Sequence, residues 1–180
     1  MTPALAAPVS YRLDTKASNV QFTFSIAGLM QTGTMPVKSA QITVDPLRLE
    51  DSRFQVVLDA ASAKTSLDIA ARAMAGPEIL DTDRFPKITF ATTSVQLAAD
   101  NRLSLGATIR GNLTLRGITH PVQLNAELYR PRDTAPDDLS TLSARLSGQI
   151  SRSRFGASGY ADLVADAVGL DITAVVHAAG

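Results

Sequence analysis

Residues 103–128 read LSLGATIRGNLTLRGITHPVQLNAEL, and apolar side chains occupy alternate positions along most of this stretch. A period of two is the signature of a β-strand with one buried face, whereas an amphipathic helix repeats about every 3.6 residues. Arg116-Gly117 interrupts the alternation, and glycine at such a break is typical of a tight turn. The stretch therefore predicts two long antiparallel strands joined by a hairpin, with Gly111 allowing a bend in the first strand.

The same alternation recurs along the rest of the chain and predicts about eight strands. The further runs lie at 20–26, 40–44, 54–58, 87–98, 142–150 and 168–176. In the run 87–98 the apolar parity changes between Phe90 and Val95, which predicts a bulge. So many antiparallel strands with one apolar face must stack as two sheets or close to hide their edges, and the long, steady alternation favours closure. The predicted fold is an all-β, antiparallel, eight-stranded barrel.

A short helical insertion interrupts the predicted barrel. Between Thr65 and Phe85 the alternation stops, and Asp68–Ala75 is rich in helix-forming residues before Gly76-Pro77. The turn signals elsewhere, including the polar stretch 130–140, are those of loops within one domain. Residues 11–178 are therefore predicted to form a single domain behind a flexible tail of residues 1–10.

Composition excludes several classes of function. The 180 residues include 17 Lys and Arg, 17 Asp and Glu, two His and no Cys. A net charge of zero gives no field to attract nucleic acid, and no apolar run is long enough to span a membrane. Without cysteine there is no thiolate metal site or disulfide, and we expect neither a metal nor a cofactor. In the tail, Ala4-Leu5-Ala6 resembles the end of a cleaved export signal, which favours a periplasmic protein; the alternative is a simple frayed terminus.

An apolar barrel interior has two interpretations, because side chains fill it or an elongated ligand does. We expect the inward side chains to form the wall of a binding site for an apolar ligand. Arg152 is the candidate for an anionic head group, with a structural salt bridge as its alternative role. The predicted ligand-binding residues are Phe22, Phe24, Ile42, Phe90, Leu105, Ile109, Leu113, Leu124, Leu146, Arg152 and Ile172.

Catalytic signals are weak. The sequence has no G-x-S-x-G, HExxH, P-loop or G-x-G-x-x-G pattern. His120 precedes a proline and His177 lies near the end of the chain, while the acidic residues border turns, where they cap backbone amides. No catalytic residue is predicted. The open alternatives are an enzyme acting on a lipid at the barrel mouth through His120 or a loop carboxylate, and a filled barrel that binds a protein partner.

Four motifs in order resemble the YceI-like family of polyisoprenoid-binding, lipocalin-like proteins. They are YRLDTKASNVQFTF at 11–24, DTDRFPKITF at 81–90, GNLTLRGITHPVQL at 111–124 and ISRSRFGASGYADLVADAVGLDI at 150–172. The resemblance spans residues 11–176. It departs from the family pattern at Ala27, where many members carry a histidine, and at Arg154, where an acidic residue is common.

The resemblance implies a function. A member of this family is expected to be a bacterial periplasmic protein that holds a long isoprenoid chain in an extended eight-stranded barrel. The expected partner is thus an isoprenoid or quinone-like lipid, bound or carried without chemical change, and a homodimer is left open. Most of the matching residues, such as Phe85, Pro86 and Gly117, are architectural in this resemblance.

Overall fold

The computed structural model of the chain describes residues 8–45, 48–97, 106–129, 131–135 and 138–179. Within these ranges it contains eleven strands, one α-helix and short 3-10 turns. The helix α1 is Asp68–Ala75. The strands are β1 (Val9–Leu13), β2 (Asn19–Ile26), β3 (Leu29–Thr34), β4 (Val37–Val44), β5 (Arg53–Asp59), β6 (Lys64–Thr65), β7 (Lys87–Leu97), β8 (Ala107–Leu115), β9 (Ile118–Tyr129), β10 (Thr141–Ser151) and β11 (Ala167–Ala178).

Eight of these strands close into an antiparallel barrel. The ring runs β1-β4-β5-β7-β8-β9-β10-β11 and returns to β1. The strand β1 closes the ring by pairing with β4 on one side and β11 on the other. Its residue Tyr11 pairs with both, with Ile42 of β4 and with Ala178 of β11. A closed ring leaves no unpaired strand edge along this part of the sheet. The predicted antiparallel eight-stranded barrel is confirmed.

The strand that completes the ring is not the one that the alternation indicated. The run 20–26 lies in β2, which pairs with the first half of β11 and branches off the ring with β3 and β6. The eighth ring strand is β1, which has only five residues and only Tyr11 buried. A strand so short displays too little alternation to be recognised. Val9 and Ser10, assigned to the predicted tail, belong to β1, and residues 1–7 lie outside the described ranges.

Two local predictions are confirmed. The helix α1 has the predicted bounds, and Gly76 follows it as the C-cap. The predicted bulge in β7 is a register shift between Thr92 and Ser94 against β8. Beside it, the Thr92 hydroxyl accepts a hydrogen bond from the Phe54 amide (2.9 Å). Because of this shift, Ile88 and Phe90 before the bulge and Val95 after it all point into the barrel, although their residue numbers have opposite parity.

The buried core is layered along the barrel. One cluster, containing Phe22, Leu80 and Phe155, lies under α1 at what we call the helix end. A second cluster in the wall contains Ile109 and Leu124. The third, at the opposite end, surrounds Tyr11, Ile42, Leu142 and Val176. No helix in the described ranges is long and apolar enough to cross a membrane.

Candidate binding cavity

A cavity of about 670 Å³ runs through the barrel. Successive side chains of a strand point to opposite faces, so each alternating run supplies one inward row. Ten of the eleven predicted site residues line the cavity, and Leu105 lies outside the described residues. The ten are Phe22, Phe24, Ile42, Phe90, Ile109, Leu113, Leu124, Leu146, Arg152 and Ile172.

Side chains do not fill the interior. Phe54, Phe90, Leu146, Leu170 and Ile172 point into the barrel and pack on the wall cluster, yet each is only partly buried. Packed protein interiors have few voids larger than a water molecule, so this space is not an ordinary packing defect. Among the described residues, the barrel interior is therefore open and not filled by side chains.

The lining is almost entirely apolar. Among the described residues, the polar side chains on the wall are Ser18, Ser52, Arg152, Tyr160 and Thr173, and no Asp, Glu, Lys or His takes part. The Ser18 hydroxyl accepts from the Val175 amide (2.9 Å), and the Ser52 hydroxyl accepts from the Asp45 amide (3.2 Å). These serines are already committed to backbone groups, so the cavity suits an apolar guest.

Three segments join into a ring around the cavity at the helix end. They are the tip of the β2–β3 hairpin, the stretch from Ser66 through α1 to Glu78, and the loop 152–166. Backbone and side-chain hydrogen bonds connect them in turn: Ser66 Oγ to Gln31 Oε1 (2.9 Å), the Ala27 amide to the Leu163 carbonyl (2.8 Å), and the Gly159 amide to the Glu78 carbonyl (2.9 Å).

The mouth of the cavity lies within this ring. Leu67, Ile69, Tyr160 and Leu163 all line the cavity, and their exposed fractions are 45%, 77%, 47% and 51%. Side chains that are both cavity lining and solvent exposed mark the place where the interior meets the surroundings. The apolar lining thus continues out onto the surface at the helix end.

Comparison with known proteins agrees with this architecture. The model of the YceI-like domain matches residues 11–176. The chain belongs to the YceI-like family. Protein YceI of Salmonella newport is 28% identical over 135 residues, which are 73% of this chain and 68% of that protein. A UPF0312 protein of Vibrio parahaemolyticus is 25% identical over 128 residues, 69% of this chain and 66% of that protein. The chain thus spans about two thirds of the length of these curated relatives.

Solved structures show the same fold. BcnA of Burkholderia cenocepacia superposes with a TM-score of 0.78 at 21% identity, covering 91% of this chain and 98% of that one. A polyisoprenoid binding domain of Saccharophagus degradans, implicated in plant cell wall breakdown, gives a TM-score of 0.65 at 19% identity, covering 95% and 99%. The YceI protein of Campylobacter jejuni gives 0.65 at 22% identity, covering 81% and 84%.

In this YceI-like chain, Arg152 is bound to backbone carbonyls. It is only 7% exposed. Its guanidinium donates to four carbonyl oxygens of the loop it anchors: those of Ala157, Gly159 (2.7 Å), Val164 (2.8 Å) and Ala165 (3.1 Å). These four hydrogen bonds use four of the five N–H groups of the guanidinium. No carboxylate in the described ranges forms a salt bridge with Arg152. The geometry supports neither the head-group role nor the salt bridge.

Arg110, Arg116 and Arg154 lie outside the cavity lining. Arg116 Nη1 donates to the carbonyls of Gly156 (2.8 Å) and Ile79 (3.3 Å). Arg110 is exposed on β8, and Arg154, a departure from the family pattern, is exposed in the 3-10 turn Arg152–Phe155. Ala27, the other departure, occupies a hairpin turn with φ of 51°. No arginine places an available guanidinium inside the described wall.

Neither histidine lines the cavity. The ring of His120 packs edge-on against Phe155, with 5.3 Å between ring centroids. His177 lies between the Asp14 carboxylate (Nε2 to Oδ2, 3.1 Å) and the Thr141 hydroxyl (Nδ1 to Oγ1, 3.0 Å). The hydrogen bond from His177 lowers the pKa of Asp14, and the Ala17 amide contributes. The group connects β1, β10 and β11 where the barrel closes.

The turn carboxylates serve the backbone as the sequence indicated. Asp14 accepts from the amides of Lys16 (3.1 Å) and Ala17 (3.0 Å), and Asp45 accepts from the Arg48 amide (3.1 Å). Within the described residues no three His, Cys, Asp or Glu side chains are grouped to hold a metal ion.

Proposed function

We propose that the barrel binds an isoprenoid or similar amphiphilic lipid non-covalently in its cavity and carries it. The observation that supports this most strongly is the 670 Å³ of continuous, apolar space that opens through an apolar mouth. A structural neighbour described as a polyisoprenoid binding domain supports the same class of ligand. We further propose that the protein works in the periplasm, an expectation that rests on the family resemblance; the curated relatives are bacterial proteins.

The energetics suit a ligand held by its chain alone. Burial of each methylene contributes roughly 0.8 kcal/mol, so ten of them contribute about 8 kcal/mol. This corresponds to a dissociation constant of about 1 µM before the cost of ordering the ligand is subtracted. Because Arg152 is committed to loop carbonyls, we place the polar head of the lipid at or beyond the mouth rather than deep in the wall.

Substitution of Leu146 by Trp tests the proposed wall. Leu146 points into the cavity, is only partly buried and pairs with Ile172 across β10 and β11. An indole at this position fills free space with little overpacking, so we expect the variant to fold but to take up at least tenfold less lipid. The control is Ser147→Trp, because Ser147 is the exposed neighbour on the opposite face of the strand.

Lipid content is measured by mass spectrometry after organic extraction of natively purified protein, and uptake by titration with a polyprenol and a quinone. Stoichiometric lipid in the wild type and in Ser147→Trp, with loss in Leu146→Trp, supports the proposal. Absence of both co-purified lipid and saturable uptake overturns it, as does unaltered uptake by Leu146→Trp. Conversion of the bound lipid into a product replaces carriage with the enzyme alternative.

A further inference from the structure

Large apolar side chains are exposed mainly around the mouth of the cavity. Eight such residues are exposed in the described part of the chain, and six of them belong to the ring at the helix end. We call these six the apolar rim; they are Leu29 (68% exposed), Met30 (67%), Leu67 (45%), Ile69 (77%), Tyr160 (47%) and Leu163 (51%). A cluster of exposed apolar side chains on one part of a protein surface indicates an interaction site.

We propose that the apolar rim docks the barrel on the surface of a zwitterionic lipid bilayer, so that lipid passes between bilayer and cavity without crossing water. This inference rests on the proposed function. The geometry that supports it is continuity: four rim residues are also part of the cavity lining. A lipid chain that leaves the interior by this route therefore moves over apolar side chains until it reaches whatever covers the rim.

The charges of the rim select the kind of bilayer. The three segments that carry it, residues 27–31, 67–70 and 160–163, contain no Lys, Arg or His. Their charged residues are Asp68 and Asp162, both exposed. Over the complete ring, exposed acidic residues outnumber exposed basic ones: Asp68, Glu78, Asp162 and Asp166 against Arg72 and Arg154. Binding to anionic lipids depends on basic residues, each of which contributes about 1 kcal/mol near such a surface. A mouth with an excess of acidic residues and no basic residue beside the rim side chains fits headgroups without net charge, such as phosphatidylcholine, better than phosphatidylglycerol.

A second copy of the chain fits the rim less well. A stable protein interface uses about 20–30 residues on each side, in matching shapes. The rim offers six side chains on three separate segments around an opening. A bilayer needs no matching shape, because its interface accommodates apolar side chains of any outline, and an amphipathic ring such as that of Tyr160 suits its headgroup level.

The test uses the full chain with the substitutions Leu29→Ser and Met30→Ser together. These two residues are exposed and lie outside the cavity lining, so the binding site for lipid stays intact. The matched control is Ile118→Ser with Tyr129→Ser, which removes the two exposed large apolar side chains that the structure describes outside the rim. Binding is measured by co-sedimentation with phosphatidylcholine and phosphatidylglycerol vesicles, and lipid content by mass spectrometry.

We expect the wild type and the control to bind phosphatidylcholine vesicles, and Leu29→Ser/Met30→Ser to bind at least tenfold less while still taking up polyprenol from detergent solution. We expect weaker binding to phosphatidylglycerol. Equal vesicle binding by all three proteins, no binding by the wild type, or a wild-type dimer that the rim substitutions dissociate overturns the inference. If lipid uptake persists in those cases, only the docking fails. If no protein takes up lipid in any assay, the proposed function itself fails.

Discussion

The β2–β3 and β8–β9 hairpins share a turn backbone and differ in everything around it. Both turns place two residues in the left-handed region: Ala27 and Gly28 at φ of 51° and 82°, and Arg116 and Gly117 at 54° and 71°. This is the two-residue turn that matches the twist of antiparallel strands. Backbone geometry is thus equivalent at the two tips, and it does not decide what each hairpin does.

Their neighbours decide it. At the β8–β9 tip, a Cβ on Gly117 would be 2.8 Å from Phe85 Cε1, and the Arg116 guanidinium is bound to two carbonyls. At the β2–β3 tip, no atom beyond the adjacent residues lies within 4 Å of the same position on Gly28, and Leu29 is 68% exposed. One tip is a packed support for the helix end, and the other is free to present apolar side chains.

The loop 152–166, which Arg152 anchors, contacts both hairpins. We therefore expect Arg152→Met to lower the stability of the protein more than any change within one hairpin. In this loop, the Gly156 carbonyl accepts a hydrogen bond from the Arg116 guanidinium, and the Leu163 carbonyl accepts one from the Ala27 amide. Removal of the guanidinium leaves four carbonyls without their donor; the hydrogen bond to Ala157 is buried and the other three are partly buried. A buried unsatisfied group costs about 1–3 kcal/mol, and a partly buried one less. We expect the free energy of unfolding to fall by at least about 3 kcal/mol in urea denaturation. Arg154→Met, at an exposed neighbour, serves as control; equal effects of the two changes contradict the structural role.

The substitutions Gly117→Ala and Gly28→Ala compare the stability that the surroundings of the two turns contribute. Either substitution puts a side chain into a left-handed residue, at roughly 1 kcal/mol. Gly117→Ala adds a clash with Phe85, so its total cost is expected to be about 2–4 kcal/mol, against about 1 kcal/mol for Gly28→Ala. Urea denaturation of both variants measures the difference. Equal losses of stability show that the packing of the β8–β9 tip contributes nothing beyond the turn itself.

The two hairpins also show where sequence reasoning succeeds. The β8–β9 hairpin lies between two long alternating runs, so Arg116-Gly117 stood out as the break. The turn at Ala27-Gly28 went unnoticed because β3 does not alternate. Leu29-Met30, two consecutive apolar residues directly after a glycine, is the signal that was available for the exposed tip.

The candidate site divides in the same way. Periodicity identified the wall, because facing inward is a property of residue parity along a strand. Periodicity gave no information about the partners of Arg152, which are main-chain carbonyls of a loop up to 13 residues away. Every residue has a backbone carbonyl, so the amino-acid sequence does not indicate which of them will accept a hydrogen bond from Arg152. Nor does any pattern place Leu67 and Leu163 on one ring, since that depends on hydrogen bonds between segments distant in sequence.

The smallest expected effect concerns the base of the loop that contacts both hairpins, and it depends on pH. The Asp166 carboxylate accepts hydrogen bonds from the Ser151 hydroxyl and from the Ser153 amide (2.9 Å). The Ser151 hydroxyl, followed by the hydroxyl and amide of Ser153, lowers the pKa of Asp166 in the folded protein. The folded state thus favours the carboxylate more than the unfolded chain does, where the pKa is about 3.9.

The sign of the effect follows by linkage. A lowered pKa contributes stability that is complete above the unfolded value and disappears as the pH falls through the folded value. Asp166→Asn is therefore expected to lower the melting temperature slightly at pH 7, with the gap to the wild type closing below about pH 4. Thermal melts of both proteins from pH 7 to pH 2.5 measure the gap, and because Asp14 and Asp138 stay in both, their own titration cancels. A gap that is constant over this range would show that the hydrogen bonds of Asp166 do not depend on its charge, and the carboxylate would then hold the base of the loop no better than a neutral amide does.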